Sequence, residues 1–251
     1  MRIGISGYGR MGELIREKAL AKGHTVPVVI DPVSQADVVT HRSAREELGA
    51  VDVIIDFSVP QAVVENMEAC AEKGIPVVVG TTGWYDRMEH VRNTAESAGI
   101  GCIWSGNFSL GVNLFFHMVR AAGRVMNRFS QYDCMVHEYH HKRKADSPSG
   151  TADMLGRILL EELDRKSTVT SDSLDRTIGE DELHVSSTRG GSIPGIHRVT
   201  FDSDVDTISL EHSARTRSGF AEGAVLAAEW IAEKTGFYTI DDMMKTIIEG
   251  E

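Results

Sequence analysis

The chain has 251 residues, 41% of them hydrophobic and 25% charged, which suits a water-soluble protein of one large domain or two modest ones. A formal net charge of −11 excludes nonspecific nucleic-acid binding through a global positive field. Cys70, Cys102 and Cys134 are widely spaced and make no C-x-x-C, which excludes a disulfide framework or a cysteine zinc knuckle, and no apolar run has the length to span a bilayer.

The N-terminal MRIGISGYGRMG carries no long apolar h-region of a signal peptide. With free thiols besides, the expectation is a cytoplasmic protein. RIGIS (2–6) reads as a short apolar strand, followed by GYGRMG and a helix through ELIREKALAKG that stops at Gly23. TVPVVID (25–31) is a second strand ending on an acid. VDVIIDFS (51–58) is a third, apolar enough to be buried on both faces. Pro60 is suited to a helix start and QAVVENMEACAEKG (61–74) continues that helix to Gly74. IPVVVG (75–80) predicts a fourth strand, 85–98 a helix and IGCIW (100–104) a fifth strand. Strands alternating with helices of this length imply βαβ units and a parallel sheet.

The rhythm changes after residue 105. GVNLFFHMVRAAGRVM (111–126) reads as a long apolar helix. QYDCMVHEYH, ELHVSSTR, IHRVTFD and DTISLEHSA are β-like, with one helix, TADMLGRILLEELDRK (151–166), among them. This pattern predicts a second, α+β part with an antiparallel or mixed sheet. Residues 218–236 return to helix, and a last helix closes the chain.

Gly7-Tyr8-Gly9-Arg10-Met11-Gly12 is a G-x-G-x-x-G run that follows a strand and opens a helix, the context in which it binds a dinucleotide. The first glycine makes the tight turn, the second admits the pyrophosphate and the third lets helix and strand pack. Asp31 ends the second strand 19 residues after Gly12, where an acid meets the adenosine ribose hydroxyls. Pro32 follows it rather than a base, which favours NADH over NADPH. Two further stretches at strand C-termini, Gly80-Thr81-Thr82-Gly83 and Ser105-Gly106-Asn107-Phe108, offer small residues and hydroxyls to a nicotinamide and its ribose.

Residues 136–152, VHEYHHKRKADSPSGTA, contain the zinc-protease pattern H-E-x-x-H. A zinc site needs His137 and His141 on one helix face with Glu138 as general base, but QYDCMV favours a strand. On a strand the two histidines stand about 13 Å apart, too far for one metal ion, so no metal is expected. The same segment reads as an anion pocket. His140, His141 and Lys144 supply a proton donor and polar or positive groups, and Ser149-Gly150-Thr151 opens a helix whose first N–H groups face a carboxylate or phosphate.

With these motifs in place, E-Y-H-H-K-R-K-A-D-S-P-S-G-T-A resembles the signature of the 4-hydroxy-tetrahydrodipicolinate (dihydrodipicolinate) reductase family. GYGRMG, DFS (56–58), GTTG (80–83), NFSLGVN (107–113) and FAEGAV (220–225) extend the resemblance over nearly the whole chain. The histidine–lysine–SGT signature is specific, whereas the glycine motif alone is not. The resemblance implies a Rossmann-like α/β cofactor lobe from 1–107 and 217–251. It also implies an α+β lobe with a mixed sheet at 108–216 that binds substrate and forms a homotetramer. It implies reduction of a cyclic dicarboxylate to tetrahydrodipicolinate by NADH or NADPH in the diaminopimelate route to lysine, with neither nucleic acid nor membrane as partner. Under it, His140 and Lys144 match the proton-donor positions, and His141 with Ser149, Gly150 and Thr151 match substrate contacts. Gly7 to Gly12, Gly80 to Thr82 and Ser105 to Phe108 match cofactor segments. Arg215 and Arg217 are further candidates to neutralise substrate. The alternatives are a reductase of another small acid, a zinc hydrolase, and a noncatalytic NAD-binding regulator.

Overall fold

The computed structural model describes residues 1–46, 48–171 and 173–250, and the chain divides into two compact units. Met1–Leu110 with Arg217–Glu251 make the first, and Gly111–Thr216 the second.

The first unit begins β1 (Arg2–Ser6), α1 (Arg10–Ala21), β2 (Thr25–Ile30), β3 (Val53–Asp56), α2 (Val63–Glu72), β4 (Val77–Val79), α3 (Met88–Ala98) and β5 (Gly101–Trp104). The chain then runs through α4 (Leu110–Met126), β6 (Asp133–His140), α5 (Gly150–Glu162), β7 (Thr168–Thr170), β8 (Glu182–Arg189), β9 (Ile196–Asp202) and β10 (Thr207–Ser213). It returns as α6 (Ser218–Ile231), β11 (Gly236–Thr239) and α7 (Ile240–Glu249).

The first unit holds a six-stranded sheet in the order β11-β5-β4-β3-β1-β2, parallel at every pair. Its strands are apolar because both faces are covered. Ile3, Ile5, Val53, Ile55 and Ile103 pack with Ile15 and Ala19 of α1 and Ala224, Val225 and Ala228 of α6. Ile54, Val77, Val79 and Cys102 on the other face pack with Met67 and Cys70 of α2 and Val91 and Ala95 of α3. This is the Rossmann-like α/β arrangement, and its glycine loop, like the loops after β3, β4 and β5, lies at strand C-termini, the edge where such sheets bind ligands.

The second unit holds a mixed sheet, β10-β9-β6-β8-β7, antiparallel from β10 to β6 and parallel from β6 to β7. One face packs Cys134, Val136, Leu183, Val185, Val199 and Phe201 against Phe115 and Val119 of α4 and Leu155 and Leu159 of α5. The opposite face exposes Met135, Arg198, Ser209 and Glu211.

Two strands escape the sequence reading. β11, only four residues long, adds a sixth parallel strand beside β5, and the three-residue β7 extends the second sheet. Both are too short to carry a period of their own. The helix expected over 151–166 ends at Glu162, because Leu163 turns extended and buried while the Lys166 ammonium is held by the carbonyls of Glu180 and Glu182.

Candidate active site

The glycines of the first loop have separate jobs. Gly7 has φ +89°, and a Cβ there would stand 2.3 Å from the Phe57 carbonyl oxygen. A Cβ on Gly12 would stand 2.2 Å from the carbonyl oxygen of Gly7. Gly9 meets nothing within 4 Å. It is also the N-cap of α1, with no side-chain hydrogen bond on the first turn. Unpaired helix N–H groups thus face a space kept clear by the missing side chain, which fits a pyrophosphate. Arg10 is exposed beside it, Met11 packs on the core, and the Tyr8 N–H donates to Asp31.

Asp31 is more committed than a ribose ligand would be. It is 8% exposed; its Oδ2 accepts the Tyr8 N–H (2.8 Å) and its Oδ1 accepts those of Val33 (2.9 Å) and Ser34 (2.7 Å). Burial alone would raise its carboxyl, but these three bonds and the Arg42 charge outweigh that and hold it below the ordinary value. Its first structural task is therefore to tie the glycine loop to the turn after β2.

No base follows Asp31 in sequence, yet Arg42 Nη1 donates to the Asp31 carbonyl (2.9 Å) and the Ser34 carbonyl (2.6 Å). A guanidinium stands where sequence adjacency shows none, so the preference for NADH loses its ground. Arg42→Ala is expected to raise KM for NADPH about tenfold while moving KM for NADH less than about twofold, the difference expected for a charge-assisted bond to a 2′-phosphate. Parallel initial-rate measurements with the two cofactors check it.

The loops after β4 and β5 are organised from within. Asp56, buried at the end of β3, accepts from Ser58, from Thr81 Oγ1 (2.8 Å) and from Asn66 Nδ2 (2.8 Å). The Thr81 side chain is thus spent on Asp56, and Thr82 beside it is exposed. Gly80 allows close packing, because a Cβ there would enter the Phe57 ring. Ser105 Oγ bonds the Asn107 carbonyl and N–H (3.0 Å each), and Gly106 is exposed. Phe108, expected at the cofactor, instead buries its ring in the core against Phe57, 6.1 Å between centroids, which leaves only its backbone for a ligand.

In the second unit, strand β6 covers 133–140, so the helix that a zinc pair at His137 and His141 requires does not form. His137 instead meets Ser186 Oγ (2.6 Å) and Thr188 Oγ1 (3.1 Å). Alternation turns Glu138 and His140 inward. Pairing of β6 with β8 and β9 sets Ser187 and His197 level with Glu138, and Arg189 level with His140.

Glu138 is 0% exposed. Its Oε1 accepts the Ser149 N–H (2.9 Å), Ser187 Oγ (2.8 Å) and Arg189 Nη2 (2.7 Å). Its Oε2 accepts the Ser149 hydroxyl and lies 3.3 Å from both His140 Nδ1 and His197 Nε2. Burial alone would raise this carboxyl, but bonds from His197, Ser149, Arg189 and Ser187 hold it well below the usual range. Glu138, His140 and His197 are close enough to hold a metal ion. The donor set argues otherwise, since an ion would have to displace a guanidinium and a serine from the same carboxylate.

His140 is 7% exposed, with its Nε2 against Gly195. Burial pushes its pKa down to about 4; Glu138 opposes this, and His197, Lys144 and Arg189 add to it. His141 Nδ1 is buried without a hydrogen-bond partner among the described residues. Lys144 Nζ lies 2.8 Å from both Asp146 oxygens. Ser149, expected to contact substrate, is 3% exposed, gives both of its donors to Glu138 and N-caps α5 by accepting the Ala152 N–H. Gly150 is exposed, with open space at its Cβ position, and Thr151 follows it in the first turn of α5. An uncrowded helix N-terminus therefore lies a few residues from a lysine and two histidines, a set that can hold an anion and deliver a proton. Arg215 and Arg217 are both exposed.

Comparison with known proteins places this arrangement. Residues 1–108 match the family model described as "Dihydrodipicolinate reductase, N-terminus", and residues 111–244 match "Dihydrodipicolinate reductase, C-terminus". The chain belongs to the dihydrodipicolinate reductase family. Its members are pyridine-nucleotide-dependent oxidoreductases, and so is this chain. The 4-hydroxy-tetrahydrodipicolinate reductase of Christiangramia forsetii is 38% identical over 99% of this chain and 100% of its own. That of Archaeoglobus fulgidus is 38% identical over 98% and 100%. In fold, the chain is similar to a dipicolinate-bound dihydrodipicolinate reductase from Paenisporosarcina sp. TG-14, with a TM-score of 0.76 at 20% identity over 96% of this chain and 98% of that one.

Proposed function

We propose that this reductase converts 4-hydroxy-tetrahydrodipicolinate to tetrahydrodipicolinate with NADH or NADPH, in the diaminopimelate route to lysine. The observation that carries the reading is the segment from His140 to Thr151, where a buried histidine, a lysine and an open helix N-terminus follow one another within twelve residues. Relatives of that name match over nearly their whole length, and a similar fold holds dipicolinate, a planar aromatic dicarboxylate.

The N–H groups of Gly150 and Thr151 receive one substrate carboxylate. Lys144 leaves Asp146 for the dianion. Its pair with the exposed Asp146 holds it by only about 0–1 kcal/mol, so a doubly charged ligand competes easily. His141 supplies a further polar contact from its partly exposed ring. The substrate hydroxyl leaves as water with a hydrogen from the neighbouring ring carbon, so that a C=C bond conjugated with the imine forms, and the nicotinamide, when bound, would supply a hydride to C4 of that unsaturated ring. Hydride addition leaves electron density on the ring, and His140, with Lys144, delivers the matching proton. One proton and one hydride enter, and water and the oxidised cofactor leave. The glycine loop, with Gly80, Thr82 and the backbone of 105–108, holds the cofactor.

The reading includes a homotetramer built through the exposed face of the second sheet and a cytoplasmic site of action. The latter is in keeping with three buried free cysteines, whose thiol pKa values burial pushes up, those of Cys70 and Cys134 to about 12.

Dipicolinate titration by calorimetry tests the anion pocket. The unaltered protein is expected to bind it. Lys144→Ala is expected to weaken binding about tenfold or more, the worth of a hydrogen bond to a charged group, and to lower kcat as well. Unchanged affinity in the variant removes Lys144 from the site.

A further inference from the structure

Glu138 is a fully buried, four-times hydrogen-bonded carboxylate of the second unit that the proposed chemistry does not use. It has no access to solvent, so it touches no substrate. It nevertheless joins the two parts of the proposed site. Through Oε1 and Oε2 it takes both donors of Ser149, the residue that starts α5 and so aims the N–H groups of Gly150 and Thr151. Through Oε2 it stands 3.3 Å from His140 Nδ1. That nitrogen is buried and, at this distance, its geometry makes no hydrogen bond. The carboxylate is itself fixed by Ser187 and Arg189 of β8, and Arg189 also reaches the Asp146 carbonyl in the loop that carries Lys144.

We propose that Glu138 is a positioning residue that ties the proton donor His140 to the carboxylate-binding turn at Ser149–Thr151, its fixed negative charge sustaining the protonated form of His140 when substrate is bound. The proposal rests on the reading of His140 as proton donor and of Gly150–Thr151 as the carboxylate cradle. The chemistry is that of a carboxylate behind an imidazole. It sets ring orientation and stabilises the imidazolium without giving up or taking a proton itself. A small rotation of the ring converts the 3.3 Å approach into a charge-assisted bond.

The groups that face His140 and bear on its charge are few. Glu138 lies on the same strand, His197 on β9, Arg189 on β8 and Lys144 in the following loop, and Gly195 contributes backbone only. His212 on β10 acts on this set from behind His197. Glu138 is the one anion among them, so its removal leaves His140 facing cations and histidines.

The test is the pH profile of kcat for Glu138→Gln beside His140→Gln, with cofactor binding followed by NADH fluorescence. The proposal expects Glu138→Gln to bind NADH as the unaltered protein does, to lose turnover about tenfold or more at neutral pH, and to move the alkaline limb of kcat down by about one pH unit. A merely structural role lowers yield or raises KM but leaves that limb in place, which overturns the proposal. If His140→Gln keeps full turnover, the underlying reading of the proton donor fails. If it collapses while Glu138→Gln keeps the limb, only the present inference fails. Should Glu138→Gln not fold, Glu138→Asp carries the test, keeping the charge but withdrawing it by one methylene. A kcat limb moved down by a fraction of a pH unit, with NADH binding intact, supports the proposal, and a limb left in place overturns it.

Discussion

His140→Gln is expected to lower kcat about a hundredfold or more, the usual worth of a positioned proton donor, while leaving the dissociation constant for NADH within about twofold. Glutamine keeps a polar group at the end of β6 but has no proton to give. The pH dependence of the unaltered enzyme follows from the same residue. Burial pushes the His140 pKa down to about 4, with His197, Lys144 and Arg189 adding to that effect and Glu138 opposing it. His140 is therefore neutral at pH 7. A bound dicarboxylate brings two negative charges, which favour the imidazolium and raise that value. Since kcat/KM reports the free enzyme and kcat the complex, the alkaline limb of kcat is expected at higher pH than that of kcat/KM. Steady-state rates across the pH range check both statements, and coincident limbs would mean that substrate does not recharge His140.

Gly12→Ala is the second large effect. Its new Cβ would stand 2.2 Å from the carbonyl oxygen of Gly7, a backbone atom in the tightest part of the loop, so loop and helix must separate. The expected result is a loss of stability of about 1–3 kcal/mol, as for overpacked sites, and NADH binding weakened about tenfold or more. Gly9→Ala separates folding from ligand approach. Gly9 has φ −91° and open surroundings, so alanine fits and thermal stability is expected to hold. The methyl group then occupies the approach to the α1 N-terminus and weakens NADH binding alone. Thermal melts and fluorescence titrations of the two variants give the comparison. Equal NADH affinity in Gly9→Ala and the unaltered protein would remove the α1 N-terminus as the pyrophosphate site.

Much of the fold is legible in the sequence because its strands keep their periods. VIID reads as buried on both faces and is covered on both, and DCMVHEYH reads as a strand and forms one, the structure turning Glu138 and His140 inward. That strand also disposes of the zinc reading of HEYHH. What the sequence hides is pairing. Ser187, Arg189 and His197 join Glu138 only through the registers of β8 and β9 against β6, which no local pattern encodes. Glu138 itself lies in plain view, yet its importance comes from partners far along the chain. Arg42 is concealed in the same way, since the chain folds back to place it at Asp31 from eleven residues away. Ser149 and Phe108 show the opposite error. Both lie within the motif stretches, but one caps a helix and bonds Glu138, and the other fills the core. Motif position marks the segment that holds a ligand, while burial decides which atoms of it are available.

One assay addresses the substrate directly. Aspartate semialdehyde and pyruvate are fed to a separate dihydrodipicolinate synthase, this protein is added, and loss of NADH and NADPH absorbance is followed in parallel. Cofactor oxidation that depends on the synthase product is expected, with both cofactors used. Protein that binds NADH yet oxidises neither cofactor in the presence of that product would contradict the substrate assignment and leave only the family and fold in place.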